Sequence, residues 1–205
     1  MTSFLRCGRE ALLAEVDDLD AALALYAALR SAALPGVVDL VPAARTVLIR
    51  IDPAVTSPAA VREATAGLRI DAQREAGSGT VEIPVRYDGP DLADVARHTG
   101  LSEDEIVRLH TDAEWTVAFT GFLPGFGYLV GGDERLAVPR RDESRTSVPA
   151  GSVGLAGEFT GAYPKESPGG WQLIGRTEAR LWDPEREPPA LLSPGTRVTF
   201  VRVDP

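Results

Sequence analysis

The second half of the chain carries so much glycine that it cannot form long helices. Residues 121 to 175 contain 12 of the 20 glycines in the sequence. Glycine destabilises helix interiors, but it allows tight turns and lets a neighbouring segment or a ligand approach the backbone closely. Short apolar runs alternate there with Gly and Pro turns, which is typical of an all-β structure, either a closed barrel or a sandwich. The strands predicted after residue 114 are 115–120, 136–138, 153–155, 172–175, 178–182 and 196–202.

The first part of the chain alternates between strand-like and helical patterns. Asp17 or Asp18 can cap a helix that Pro35 ends, and Ser57 followed by Pro58 supplies the N-cap and first turn of a second helix. The predicted strands around these helices are 11–16, 37–41, 46–51 and 80–85. This β-α-β-β-α-β order is typical of a split, ferredoxin-like α+β domain, with an antiparallel sheet and both helices on one face.

The predicted domain boundary follows the last of these strands. We place an α+β N-terminal domain at residues 1–84 and a second domain at residues 85–205, which is all-β from residue 114 onward. Two short helices are expected at the start of the second domain, at about 91–98 and 102–110. Both domains are long enough to bury a hydrophobic core of their own.

Charge and composition exclude several classes of partner. The net charge of −9 opposes binding to the many phosphates of a nucleic acid. No apolar run approaches the ~20 residues that a membrane-spanning helix requires, and the first residues lack the apolar stretch of a secretion signal. We therefore expect a cytoplasmic protein that binds neither nucleic acid nor a membrane. The single cysteine, Cys7, cannot form an internal disulfide, which agrees with a reducing compartment.

The sequence lacks the common self-contained catalytic devices. Its two histidines, His98 and His110, have a spacing that matches no zinc site, so no metal ligand set is predicted. There is neither a G-x-x-x-x-G-K-S/T phosphate-binding loop nor a G-x-S-x-G nucleophile motif. His98 falls in the last turn of a predicted helix, where a charged imidazole interacts favourably with the helix dipole. His110 ends the next helix and could project toward the glycine-rich loops as an acid, a base or a hydrogen-bond donor.

Aromatic, hydroxyl and guanidinium side chains cluster in the glycine-rich region. Apolar walls with a few polar anchors are typical of a small-molecule pocket, in which Arg145 would hold a carboxylate by paired hydrogen bonds. Two alternatives stay open: the aromatic residues pack a core, or Arg145 is a solvated charge in the mixed run 140–145. The candidate side chains are Phe122, Phe126, Tyr128, Arg145, Ser152, Tyr163, Ser167, Trp171 and Gln172.

Four separated blocks of sequence carry a family resemblance. They are Gly-Phe-Leu-Pro-Gly-Phe at 121–126, Val-Pro-Ala-Gly-Ser-Val-Gly at 148–154, Thr-Gly-Ala-Tyr-Pro-Lys-Glu-Ser-Pro-Gly-Gly-Trp at 160–171, and Leu-Ile-Gly-Arg-Thr at 173–177. In this order they closely resemble the family of 5-oxoprolinase B subunits, also known as allophanate hydrolase subunit 1 or as the KipI-type histidine-kinase inhibitors. The resemblance extends over nearly the whole chain.

This resemblance implies a fold, an activity and partners. The implied fold is an N-terminal α+β domain followed by a cyclophilin-like β-barrel of the carboxyltransferase subunit 1 type. The implied function is that of the B subunit in an ATP-dependent 5-oxoprolinase, a hydrolase that cleaves 5-oxo-L-proline to L-glutamate. Its partners would be a homologous barrel protein, the C subunit, and a separate A subunit. ATP would be held by the complex and not necessarily by this chain, which agrees with the missing phosphate-binding loop.

Carried onto this sequence, the family motifs imply two groups of site residues. The expected catalytic residues are Arg145, Ser152 and His110. The expected substrate-binding residues are Phe122, Pro124, Gly125, Tyr163, Ser167, Trp171 and Gln172. Gly127 stands where relatives often carry proline, and both Gly127 and the single lysine, Lys165, are left without a role.

Two other functions compete with the hydrolase component. A KipI-type inhibitor of a sensor histidine kinase would need an exposed apolar patch, which residues 122–129 could supply. A carboxyltransferase-type component of a urea carboxylase or allophanate pathway would need a biotin-carrier domain to work with. Each of these functions would need a different partner protein. The residue types of this chain do not identify the partner, so they do not distinguish the three functions.

Overall fold

The structure is a computed structural model that describes residues 2–70 and 79–204. The chain divides into two compact units, Met1–Glu75 and Ala76–Pro205. The described residues form thirteen strands and four α-helices. No helix among them has both the length and the apolar character needed to cross a membrane.

The first unit is a four-stranded antiparallel sheet with two helices. Its elements are β1 (Ser3–Arg6), β2 (Ala11–Glu15), α1 (Leu19–Ala32), β3 (Val37–Pro42), β4 (Thr46–Ile51) and α2 (Pro58–Ala66). Both helices begin at predicted caps, because the side chain of Asp18 accepts a hydrogen bond from Ala21 N–H and that of Ser57 from Ala60 N–H. The core is formed by alternating strand residues and one face of each helix: Leu12, Ala14, Val16, Ala22, Leu25, Leu29, Val47, Ile49, Ile51 and Val61.

The ferredoxin-like arrangement predicted for the first domain is not confirmed. The observed strand order is β1-β2-β4-β3, and β1 pairs with β2 along the edge that the fourth strand of a ferredoxin-like sheet would occupy. The sequence pattern missed β1 because four residues are too few to show a clear period. The strand assigned to that edge, Thr80–Val85, belongs instead to the sheet of the second unit.

The second unit is built on a seven-stranded sheet. Its helices are α3 (Leu92–Thr99) and α4 (Glu103–Asp112), and a single 3-10 turn covers Glu134–Leu136. Its strands are β5 (Thr80–Val85), β6 (Trp115–Thr120), β7 (Gly127–Val130), β8 (Arg145–Val148), β9 (Ser152–Ala156), β10 (Phe159–Ala162), β11 (Ser167–Gly169), β12 (Gln172–Arg176) and β13 (Arg197–Arg202). The strand order is β12-β9-β10-β7-β6-β13-β5, and β11 pairs separately with β8.

This sheet closes on itself into a barrel. Arg86, just after β5, pairs with Arg176 of β12, and each N–H donates to the other carbonyl at 2.9 Å. The two edge strands of the sheet are thereby joined, so the prediction of a β-barrel is confirmed. β5 runs parallel to β13 and buries Ile83 and Val85 completely, which explains its strand-like pattern and its place in this unit.

Several strands of the barrel lie where turns were expected. β7 and β10 contain Gly127 and Gly161, and a Cβ at Gly161 would lie 2.8 Å from the Gly127 carbonyl oxygen. The glycines therefore allow close approach between neighbouring strands, rather than marking loops alone. The predicted strands 136–138 and 178–182 are wrong: the first region holds the end of the 3-10 turn and a bridge between Val138 and Gly157, and the second contributes only a bridge between Trp182 and Ala190.

Gly89 makes the barrel closure possible. A Cβ at this position would lie 2.3 Å from the Ile174 carbonyl carbon and 2.3 Å from the Leu173 carbonyl oxygen. Gly89 N–H donates to the Ile174 carbonyl at 3.2 Å, so the backbone of this segment lies directly against β12. Since backbone atoms cannot rotate away as a side chain can, any larger residue would separate the two segments.

Gly89→Ala should therefore lower the free energy of unfolding of the barrel by about 2 kcal/mol or more. Urea unfolding followed by tryptophan fluorescence measures this, because Trp115, Trp171 and Trp182 all lie in the second unit. Gly121→Ala is the matched control, since the nearest atom to its added Cβ would be Tyr128 Cε2 at 3.9 Å. Equal effects of the two substitutions would contradict the role assigned to Gly89.

Candidate functional site

An aromatic-walled cavity of about 500 Å³ opens on the surface of the second unit. Phe126, Tyr163 and Trp171 form part of its wall and are almost completely buried. Their rings meet edge to face, with centroid separations of 5.2 Å for Phe126–Tyr163 and 5.4 Å for Phe126–Trp171. Edge-to-face contacts of this kind are favourable and restrict the rings, so this wall is preformed.

A second structural reason keeps these rings in place. A Cβ at Gly161 of β10 would lie 3.2 Å from Phe126 Cζ and 3.3 Å from Trp171 Cζ3. The missing side chain lets both rings pack directly on the sheet. Part of the glycine-rich composition is thus explained by packing of the aromatic wall rather than by turns.

Phe122 stands at the rim of the cavity in an unusual backbone conformation. Its φ is 64°, in the left-handed region that residues with a side chain rarely occupy, and the residue is 57% exposed. Its ring contacts Phe126 and Tyr163 edge to face, at 5.6 and 6.3 Å. A strained residue that keeps a large ring in solvent is typical of a binding loop.

Arg140 is the charged member of the cavity wall described here. Its guanidinium makes no ion pair with residues 2–70 or 79–204. Burial raises the pKa of Tyr128 and of Tyr163, and the positive charge of Arg140 partly counteracts this rise. Both phenols therefore stay protonated at neutral pH and can donate or accept hydrogen bonds beside this cation.

Arg140 belongs to the segment of residues 139–145, the arginine loop. Its other two arginines are bound to a buried carboxylate, that of Asp91, which is only 2% exposed. Asp91 Oδ1 accepts from Arg141 Nη1 at 2.9 Å and from Arg145 Nη2 at 2.6 Å. Arg141 and Arg145 therefore anchor the loop, whereas Arg140 lines the cavity.

Further hydrogen bonds attach the arginine loop to residues 170 and 172, at the start of β12. Gln172 Nε2 donates to the Pro139 carbonyl at 3.2 Å, and Arg141 N–H donates to the Gly170 carbonyl at 2.8 Å. Gln172 also lines a second cavity of about 390 Å³, which shares Pro139 and Arg140 with the first. The arginine loop thus separates two neighbouring cavities.

The structure brings some of the predicted substrate-binding residues together and not others. Phe122, Tyr163 and Trp171 line the aromatic cavity. Pro124 and Gly125 line a shallower depression that also includes Trp182. Gln172 and Ser167 are buried, and within the described part of the chain Gln172 Oε1 and Ser167 Oγ have no hydrogen-bond partner.

The three predicted catalytic residues do not form one group. Arg145 is committed to Asp91, and Ser152 is buried in β9, where its carbonyl accepts from Tyr163 N–H at 2.9 Å. Neither is among the residues that line the described cavities. His110 is fully buried, and its two ring nitrogens bond to the Tyr87 hydroxyl at 2.7 Å and the Thr160 hydroxyl at 2.8 Å.

The environment of His110 favours a structural role. Burial lowers its pKa to about 3, so its imidazole is neutral at physiological pH. Its ring also packs against Phe200, with centroids 4.4 Å apart. With both nitrogens occupied and no exposed surface, His110 cannot meet a substrate in this conformation.

Stability should depend on pH through His110. An unfolded histidine takes up a proton below about pH 6.5, whereas the folded His110 does not until about pH 3. The unfolded state therefore binds more protons in this window, and the free energy of unfolding should fall by about 2 kcal/mol between pH 7 and pH 5.

His110→Gln, which retains hydrogen-bonding groups but cannot titrate, should remove this loss, as measured by urea unfolding at both pH values. His98→Gln is the control, because His98 is exposed. The carboxyl groups of Asp133 and Glu105, whose pKa values are lowered by hydrogen bonds from Arg135 and from Ser102, titrate below this window. An unchanged pH dependence in His110→Gln would contradict the interpretation.

Sequence reasoning missed the two charged residues that matter most to this geometry. Arg140 lay in a mixed charge run that also fits a solvated surface, and only its contact with the aromatic wall sets it apart. Asp91 lay at the start of a predicted helix, where a cap explains an aspartate equally well. No signal in the sequence indicates that Asp91 contacts residues 50 and 54 positions further along the chain.

Comparison with known proteins identifies the family. The sequence matches the family model for the carboxyltransferase domain, subdomain C and D, over residues 2–192. The 5-oxoprolinase B subunit of Escherichia coli O157:H7 is 47% identical over 173 residues, which cover 82% of this chain and 79% of that protein. The chain belongs to the family of 5-oxoprolinase B subunits. The resemblance seen in the four sequence blocks is thereby confirmed.

Another member of this family, from Bacillus subtilis (strain 168), is 51% identical over 126 residues, or 60% of this chain and 52% of that protein. Among solved structures, TTHA0988 matches 96% of this chain with a TM-score of 0.78 and 38% identity. This chain spans 40% of the TTHA0988 chain. The K. lactis urea amidolyase matches 98% of this chain with a TM-score of 0.77 at 19% identity, which shows a common fold alone.

Proposed function

We propose that this chain is the B subunit of an ATP-dependent 5-oxoprolinase, which opens the cyclic amide of 5-oxo-L-proline to give L-glutamate. The proposal is supported by membership of the B-subunit family and by one structural observation. That observation is the guanidinium of Arg140, which no carboxylate of the described residues pairs with, in the wall of a preformed aromatic cavity. A small ring that carries a carboxylate matches both features of this wall.

Arg140 is assigned to the substrate carboxylate in this proposal. A guanidinium binds a carboxylate through two parallel hydrogen bonds, and this interaction is stronger where aromatic side chains exclude water. Tyr128 and Tyr163 supply neutral phenols nearby for the amide or the carboxylate. Arg145, which the sequence favoured for this role, is occupied by Asp91 and supports the loop instead.

The proposed reaction needs groups that this cavity does not present. His110 is enclosed, and His98 lines the neighbouring cavity rather than the aromatic one. We therefore propose that partner proteins, namely the homologous barrel of the C subunit and the separate A subunit, complete the site and bring the ATP-dependent chemistry. Phe122, exposed at the rim, is the residue that we expect to meet a partner or the substrate first.

Reconstitution tests this assignment. Co-expression of this chain with the A and C subunits of the same organism should give an assembly that releases glutamate from 5-oxoproline only when ATP is present. Omission of this chain should abolish the release. Full activity without it would contradict the role of an essential component.

Arg140→Gln should weaken substrate binding in that assembly. Loss of a charge-assisted hydrogen bond costs about 1.5–3 kcal/mol, so KM for 5-oxoproline should rise roughly 10- to 150-fold with a smaller change in kcat. Arg108→Gln, at an exposed position of α4, is the matched control and should leave KM unchanged. Steady-state kinetics against 5-oxoproline distinguish the two, and an unaltered KM in Arg140→Gln would overturn the assignment.

The structure offers little support for the kinase-inhibitor alternative. Of the segment that was to supply an apolar patch, Phe126 and Leu129 are buried, and only Phe122 and Pro124 are exposed. Together with the partly exposed Leu123 and with Trp182, which is 40% exposed, these two residues line one depression, so the apolar surface is confined to one end of the segment rather than extending along residues 122–129. The urea carboxylase alternative rests on more distant relatives, which are 30–33% identical over little more than half of this chain, so the hydrolase component is preferred.

A further inference from the structure

Asp91 stands directly before α3 but does not cap this helix. An aspartate at this position normally accepts a hydrogen bond from a backbone N–H in the first turn, which stabilises the helix. The side chain of Asp91 makes no such bond. Its carboxylate is turned instead to the two segments that flank the aromatic cavity, which requires an explanation other than helix formation.

The two carboxylate oxygens of Asp91 bind to two different walls of the cavity. Oδ1 accepts the hydrogen bonds from the two anchoring arginines of the arginine loop. Oδ2 accepts from Leu173 N–H at 2.7 Å, two positions beyond Trp171. Asp91 N–H also donates to the Leu173 carbonyl at 3.0 Å. A single carboxylate thus connects the wall that holds Arg140 to the wall that holds Trp171.

The position of the arginine loop depends on the negative charge of Asp91. Among the described residues, Asp91 is the carboxylate that pairs with Arg141 and Arg145. Arg141 Nε and Arg145 Nη1 are buried and have no hydrogen-bond partner there. Without the negative charge, two guanidiniums would face each other in a partly buried space, and their repulsion and desolvation would drive the loop toward water.

The arginine loop packs closely against the opposite wall of the cavity, so the position of Arg140 is sensitive to any movement of the loop. A Cβ at Gly170 would lie 3.4 Å from Arg140 Nη2 and 2.7 Å from Ser144 Oγ. The guanidinium therefore passes close over a glycine backbone with little free space. A shift of the loop would carry the charged group away from the cavity that it lines.

We propose that Asp91 is a positioning residue, which holds the arginine loop so that Arg140 presents its guanidinium to the aromatic cavity. Asp91 is not among the residues that line this cavity, so its effect on a ligand passes through Arg140. The kinetic consequence rests on the proposed function, because only there is Arg140 assigned to the substrate carboxylate. The expected release of the arginine loop on loss of the Asp91 charge does not depend on the proposed function.

Limited trypsin cleavage of the folded chain tests whether the arginine loop is released when Asp91 loses its charge. Asp91→Asn retains the side-chain size and removes the charge, and it should accelerate cleavage after Arg140 and Arg141 at least about 10-fold. Mass spectrometry should find that only these two cuts are faster than in the wild type, with cleavage at the other arginines unchanged, since loop release differs from global unfolding. Unchanged cleavage, or simultaneous cleavage at arginines throughout the chain, would show that Asp91 does not position the loop.

Two further variants complete this experiment. Asp88→Asn is the matched control, because Asp88 lies in the same segment and pairs with the exposed Arg176 at 2.7 Å; it should leave cleavage in the loop unchanged. Arg145→Gln removes one of the loop-side partners of Asp91 and should also expose the Arg140 and Arg141 sites. It decides the question if Asp91→Asn does not fold.

Kinetics of the reconstituted assembly then test the link to the substrate. Asp91→Asn should raise KM for 5-oxoproline about 10-fold with little change in kcat, and should add nothing to the KM of Arg140→Gln. A lower kcat at unchanged KM indicates general destabilisation and contradicts the proposal. If the wild-type assembly has no 5-oxoprolinase activity, the proposed function is wrong, and the trypsin experiment alone decides the role of Asp91.

Discussion

The second unit depends on one close backbone contact, where residues 86–91 lie against residues 173–176. Reciprocal hydrogen bonds between Arg86 and Arg176 join the ends of the seven-stranded sheet, and Gly89 permits the approach because it has no Cβ. The same contact brings the Asp91 carboxylate to Leu173 N–H. Barrel closure and the support of the candidate site are therefore consequences of the same approach between two segments distant in sequence.

The candidate site combines a rigid apolar wall with a charged loop, which is held by Asp91 outside the cavity. Edge-to-face packing of Phe126, Tyr163 and Trp171 holds the apolar wall in place. The arginine loop has no regular structure before β8 and is held by hydrogen bonds to Asp91 and Gln172 instead. Because an ion pair depends on charge and packing does not, we expect the two walls to respond differently to substitution.

Sequence patterns predicted those elements whose signals are local. The caps at Asp18 and Ser57 set the starts of α1 and α2, and the run from Trp115 shows its strand in apolar alternation. β1 was too short to show a period, and β7 and β10 were hidden by glycines that the strands use for close packing. The aromatic residues of the pocket were likewise found from composition, although core packing and pocket lining were equally compatible with it.

By itself, the sequence determined the helices of the first unit, the predominantly β character of the second, the family and the aromatic part of the site, since each depends on residue type or on spacing along a short segment. Only the tertiary structure decided that β5 joins the barrel, that His110 is enclosed, and that Arg140 rather than Arg145 faces the cavity. These outcomes depend on contacts between distant segments, such as Asp91 with Arg145, 54 positions apart. Burial and charge pairing of this kind arise when the barrel closes, so no local pattern in the sequence can show them.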